Sequence, residues 1–245
     1  MTKSQRKTNR LAVLGLVLMT AQPASAQSVG EPVTQGLRLG YERAFGSEAY
    51  APQALTAEQP QIDRVVARLL GRVSSDWSYW LDVARGAYQF ADQDFPGTTH
   101  LRHETRLQAG VSRGGVFPAG AWSIGAGYGV HLLQVQNSAR LTDSEPAFFF
   151  LPWQLLHGVT LSESVRVGFG PLSLVLDGRW DPFLFAHMAD SRLAMPAYLT
   201  AFRVAPRLSI WSDRLSLGYA FEGFVGDGFQ RRSEGPFVAL AVTGF

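Results

Sequence analysis

Polar and apolar residues alternate with a period of two along most of this chain. In HLRHETRLQAGV (100–111), Leu101, His103, Thr105, Leu107, Ala109 and Val111 alternate with Arg102, Glu104, Arg106, Gln108 and Gly110. DRVVARLLGRV sets Val65, Ala67 and Leu69 against Arg64, Arg68 and Arg72, and AYLTAFRVAPRLSI sets Phe202, Val204 and Leu208 against Arg203 and Arg207. LSLGYAFEGFV repeats the pattern, with Leu217, Tyr219 and Phe221 opposite Ser216, Gly218 and Glu222. A period of two puts successive side chains on opposite faces of a strand, whereas helix-like periodicity is scarce. The runs exceed the five or six residues usual for a globular strand and suit tilted membrane strands of about 9–11 residues. We read ten strands, at 34–46, 62–73, 77–90, 99–112, 120–136, 148–167, 172–180, 197–211, 214–226 and 235–245. Pro152 and Gly158 interrupt the sixth, so eight and twelve strands are the alternatives.

The connections alternate in length. A shorter set lies at Ser74–Asp76, Ser112–Gly120, Gly168–Pro171 and Ser212–Asp213; a longer set lies at 47–61, 91–98, 137–147, 181–196 and 227–234. Short turns at one end and longer loops at the other predict an all-β fold, a transmembrane antiparallel up-and-down β-barrel. The sequence closes on GPFVALAVTGF, with Phe245 as its last residue. In this strand and in its architecture the chain resembles the Gram-negative outer-membrane β-barrel proteins. That resemblance implies that Phe245 acts as an assembly signal for the barrel-assembly machinery and that outer-membrane lipid surrounds the barrel. Val238, Leu240 and Val242 lie opposite Phe237 and Phe245, which leaves the facing of this strand open.

Alternation alone does not say which face is inside. The charged phase carries Arg38, Arg64, Arg68, Arg72, Arg102 and Arg106 in the first half and Arg166, Arg179, Arg203 and Arg207 in the second. An Arg turned toward lipid at mid-bilayer costs about 2–4 kcal/mol, so ten of them must face the lumen of a membrane barrel. Glu42, Asp82, Glu104, Asp177 and Glu222 share that phase and leave an arginine excess. Gly125, Gly127 and Gly129 fall on the lumen side opposite the fourth strand, where they would make room for Arg102 and Arg106. Trp77, Trp122, Trp211 and Phe245 map near one rim and Phe45, Phe90, Phe148–Phe150 and Trp180 near the other, as interfacial belts do. Arg85 shares the outward phase of Leu81 and Val83, which predicts either a bulge near Gly86 or a slip of phase there.

The first residues change the charge picture. Lys3, Arg6, Lys7 and Arg10 precede the apolar run Leu11–Met19 and the Ala24–Ala26 cleavage motif, the pattern of a secretory signal peptide over 1–26. The barrel domain is then 27–245, with 18 Arg, no Lys and 20 acidic residues, a formal charge of −2. The high pI thus belongs largely to the precursor and suggests no nucleic-acid partner. The absence of cysteine excludes disulfides, thiol catalysis, thiolate metal sites and a lipidated Cys.

Candidate chemistry is sparse. His100 and His103 point to opposite faces of one strand, and His131 and His157 read as packing or interface residues, so no metal and no cofactor is expected. In the outer loops, ADQDFPG offers Asp92 and Asp94, and FAHMADS offers His187, Asp190 and Ser191. That arrangement resembles the omptins, ten-stranded surface proteases with an Asp pair on one loop and an Asp–His pair on another. Where omptins carry Asp two residues before the His, this chain has Phe185, and it is shorter than they are. The composition of 187–191 also contains the residue types of a lipid-modifying hydrolase. Two function classes follow. One is a structural or binding barrel with a narrow or closed lumen, or one passing small anionic solutes; the other is a surface enzyme using the loop Asp and His residues.

Overall fold

The structure, a computed structural model, describes residues 36–50, 55–91, 99–138, 149–188, 198–211, 213–227 and 229–243. Among these, ten strands run in chain order: β1 (Gly36–Tyr50), β2 (Leu55–Arg72), β3 (Trp77–Ala91), β4 (Thr99–Phe117), β5 (Gly120–Ser138), β6 (Phe149–Phe169), β7 (Leu172–Met188), β8 (Tyr198–Ile210), β9 (Leu215–Gly226) and β10 (Phe229–Thr243). Each strand pairs antiparallel with its sequence neighbours, and β1 closes the barrel on β10 from Gly36↔Thr243 to Tyr50↔Phe229. Closure leaves no unpaired edge, as a chain surrounded by lipid requires.

Several strands run further toward the loop end than their alternation suggests. β2 starts at Leu55 rather than 62, and β10 at Phe229 rather than 235. β7 continues to Met188 rather than stopping at Trp180. The reason lies at Asp181-Pro182, which resembles a strand terminator because proline has no N–H to donate. Here a register shift between Asp181 and Leu184 absorbs it, and the Thr200 hydroxyl donates to the Pro182 carbonyl at 2.9 Å. The sixth strand is continuous from Phe149 to Phe169, with a shift against β7 between Val159 and Leu161. Trp180 accordingly sits midway along β7, not at the rim, while Phe183, Phe185 and Tyr198 carry aromatic surface toward the loop end.

The outer surface is greasy: Val65, Leu107, Ile124, Val159, Leu176 and Phe202 are all exposed. Val238 and Val242 point outward too, and Phe237 points in, which settles the facing of β10 over the described residues. Phe245 lies outside them. The lumen holds the opposite chemistry, since Glu42, Arg64 and Glu104 are no more than 2% exposed. Arg85 is exposed and keeps the outward phase of Val83; no register shift interrupts β3 on either side. A single cation on the outer surface therefore replaces both a bulge and a slip. Glu163 is likewise exposed and folds across Gly178, where a Cβ would stand 2.6 Å from its Oε1.

The glycines of β5 have a different use from the one the alternation suggests. Gly125, Gly127 and Gly129 pair with Ser112, Gly110 and Gln108. A Cβ on Gly127 would stand 2.1 Å from the Ala109 carbonyl oxygen, and one on Gly110 2.6 Å from Trp80 Cζ2. The glycine pair thus seats the buried Trp80 indole, while Arg106 stands opposite His131.

Candidate functional site: a partitioned lumen

The inward side chains form three zones along the barrel axis. Toward the loop end, Leu133, Leu156, Leu184, Leu199, Ala201 and Phe224 pack into an apolar cluster. These residues come from β5–β9, where the alternation is apolar on both faces.

Below them an ionic partition crosses the lumen. Arg64 donates to Glu42 at 2.8 Å and to Glu104 at 3.2 Å. Arg106 forks onto Glu222 at 2.8 and 2.9 Å and reaches Glu104 at 2.8 Å. Arg203 forks onto Glu42 at 2.6 and 3.1 Å, and Arg231 donates to Glu104 at 2.8 Å. Four arginines and three glutamates from β1, β2, β4, β8, β9 and β10 thereby join walls on opposite sides of the barrel. Register places several of them directly across from one another, as in Glu42↔Arg64 and Arg203↔Glu222. Arg106 and Arg231 also lie 5.9 and 5.3 Å from the Phe224 ring centroid, which ties the partition to the apolar zone above. Beside it His131 is buried, meets Phe224 edge-on, and stands 3.7 Å from Asp181 with Gln108 between them.

The third zone faces the short turns. Arg68 forks onto Asp82 at 2.6 and 2.7 Å, Arg179 also bonds Asp82, and Arg207 bonds Asp177, which accepts from Ser164 at 2.8 Å. Arg166 reaches Asp213 at 2.6 Å. Asp213 sits at φ 70 and Trp211 at φ 53, so the β8–β9 turn is built on two left-handed non-glycine residues that tuck the carboxylate into the barrel mouth. Arg38 borders the cavities of this zone, stands opposite Arg68, and makes no hydrogen bond or ion pair among the described residues. Arg72 does not line the lumen: it is exposed at the rim and donates to the carbonyls of Ser74 and Ser75, holding the β2–β3 turn.

No protein-family model and no curated protein matches the chain. Solved structures do. The Escherichia coli outer-membrane protease OmpT superposes with a TM-score of 0.51 at 8% identity, over 89% of this chain and 100% of that one. The translocator domain of the autotransporter NalP from Neisseria meningitidis gives 0.39 at 10% identity, covering 97% and 95%. The COG4313 outer-membrane channel from Pseudomonas putida F1 gives 0.40 at 10% identity, covering 89% and 100%. The fold is that of an outer-membrane β-barrel.

In this outer-membrane barrel His187 is the one loop-end candidate among the described residues. Asp92, Asp94, Asp190 and Ser191 lie outside the described residues. His187 is exposed on the outward phase of Phe183 and Phe185 and stacks on His157, with ring centroids 4.9 Å apart and planes within 2°. Among the described residues no three His, Asp or Glu side chains are grouped to hold a metal. The Arg102 side chain is also outside the description.

Sequence reasoning did not single out Arg231, Asp181 or Asp213 for the lumen. Arg231 falls in the connection read at 227–234, whereas β10 begins at Phe229. Asp181 was hidden by Pro182. Asp213 lies in a turn, where alternation says nothing.

Proposed function

We propose that this protein is a closed, non-conducting outer-membrane barrel, exported by its cleaved signal segment, which acts as a structural and binding barrel rather than a pore. The observation that carries this reading is the ionic partition. Glu42, Arg64, Glu104, Arg106, Glu222 and Arg231 are each at most 5% exposed and come from strands around the wall. A hydrated ion passing this level would have to displace carboxylate–guanidinium forks in a zone capped by apolar side chains. Ten strands are close to the eight whose interior side chains just fill, and far from the 16–18 of water-filled porins. Toward the turns the arginine excess leaves a recess suited to small anionic solutes.

The experiment is single-channel recording of the folded protein in a planar bilayer under asymmetric salt. The expected result is a silent bilayer from protein whose folding is confirmed by a heat-dependent gel shift. A steady anion-selective conductance would replace this reading with a transport function. The likeness to OmpT concerns the fold alone, and the position of His187 gives a surface protease no support.

A further inference from the structure

The turn-end half of the lumen holds one guanidinium with no anion of its own. Arg68 and Arg179 share Asp82, Arg207 has Asp177 and Arg166 has Asp213. That leaves five arginines against three carboxylates among the described residues of this zone. Arg38 is the one left over. Register sets it directly opposite another cation, Arg68, and like charges facing across a strand pair repel. Its Nε is buried with no acceptor, and the Nε atoms of Arg166, Arg179 and Arg207 around it share that condition.

Two stacked cavities adjoin this set. The upper, about 110 Å³, lies under the partition, and the lower, about 90 Å³, lies toward the turns; Arg38, Arg68, Arg207 and Asp177 border both. Each is several times the ~10–15 Å³ that one water needs. Ser112, Ser123 and Ser162 add hydroxyls to the lower wall. Arg68 and Arg166 are 25% and 22% exposed, against 1–6% for Arg64 and Arg106 and 19% for Arg203 in the partition, while Arg207 and Arg179 are 9–10% exposed.

We propose that this recess is a dead-end binding site for a small, free tetrahedral oxyanion of the phosphate class, with Arg38 as its primary ligand and Arg207 and the serine hydroxyls completing the shell. The inference rests on the closed-barrel reading and names the ligand class of its recess. Guanidinium suits the task because its planar fork pairs with two oxygens at once and stays charged. The site is walled off from lipid, so the ligand is a dissolved ion or small phosphorylated solute and not a lipid headgroup. No proton or bond is transferred; the step is binding only.

The test is isothermal titration of the folded full-length barrel in detergent with inorganic phosphate at low ionic strength. It is repeated with Arg38→Gln, with Arg38→Lys and with the outward-facing Arg43→Gln. Arg38 makes no hydrogen bond among the described residues, so Arg38→Gln should retain the heat-dependent gel shift. The expected result is one site per barrel, weakened roughly tenfold or more in Arg38→Gln, partly retained in Arg38→Lys and unchanged in Arg43→Gln. No saturable phosphate binding, or equal affinity in wild type and Arg38→Gln, would overturn the site. Bilayer recording separates the two readings. Silence without binding removes the site and leaves the closed barrel standing; phosphate conductance sensitive to Arg38→Gln removes the closed barrel.

Discussion

Glu222 is the most informative single position in the partition. It accepts from Arg106 at 2.8 and 2.9 Å, from Arg203 at 3.3 Å and from Arg64 at 3.5 Å. Glu222→Gln keeps the shape of the side chain and removes its charge. The cluster then goes from four cations and three anions to four and two, in a site where Arg64, Arg106 and Glu104 are all buried. Removing one partner of a buried ion pair typically costs about 3–5 kcal/mol, because the remaining charge is left without compensation. Arg106→Met combined with Glu222→Leu restores the original surplus of one cation and should cost less than the single change, since replacing a buried pair by apolar groups is often neutral. The assay is reversible urea unfolding from lipid vesicles, followed by tryptophan fluorescence for both variants. A Glu222→Gln barrel within about 0.5 kcal/mol of wild type would refute the reasoning, because surface-like pairs are worth only about 0–1 kcal/mol. The partition would then be solvated and the lumen open.

Three further outcomes follow from other parts of the structure. Gly127→Val should lose about 1–3 kcal/mol or more, since its Cβ would meet the Ala109 carbonyl and disturb the seat of Trp80; unfolding and Trp emission together check this. Glu163→Leu should leave stability unchanged or raise it by about 1 kcal/mol in lipid vesicles, because the carboxylate stands on the apolar outer surface; a clear loss would mean that Glu163 has a partner there. Asp92→Asn and His187→Ala should leave a peptide-cleavage screen unchanged from wild type, and a hydrolytic activity abolished by either would restore the protease alternative.

How much of this was legible in the sequence depends on what each kind of pattern encodes. Facing along β2, β4, β8 and β9 follows from period two alone, because a strand's side chains alternate whatever the tertiary fold, and the cost of an arginine in lipid then selects inside from outside. Strand number follows from the turns. Strand ends toward the loops do not, because ladder pairing continues beyond the apolar belt where the alternation fades, and a bulge lets β7 pass Pro182. Phase also hides partnership. Arg38 and Arg64 are equivalent by alternation, yet one stands opposite Arg68 and the other opposite Glu42. Only the closure of the barrel brings Glu222 of β9 to Arg106 of β4, a separation of 116 residues that no local pattern reports.

That difference separates structure from function within one lumen. Where register sets unlike charges face to face, as at Glu42↔Arg64 and Arg203↔Glu222, the side chains pair with each other and bridge the lumen. An apolar filling would occupy the same space at no greater cost, so the ion pairs are not needed for stability alone. What they add is directionality: a guanidinium fork fits a carboxylate in only a few geometries, and a slip of one residue would turn its side chain out to lipid. The partition thus acts on the register of six strands at once. The same registration sets Arg38 against Arg68 and Arg179 against Arg203, and of these four only Arg38 has no ion pair among the described residues. The carboxylates nearest in charge to Arg38, Asp177 and Asp213, already pair with Arg207 and Arg166, and the cavities beside Arg38 are where the proposed anion would add to them.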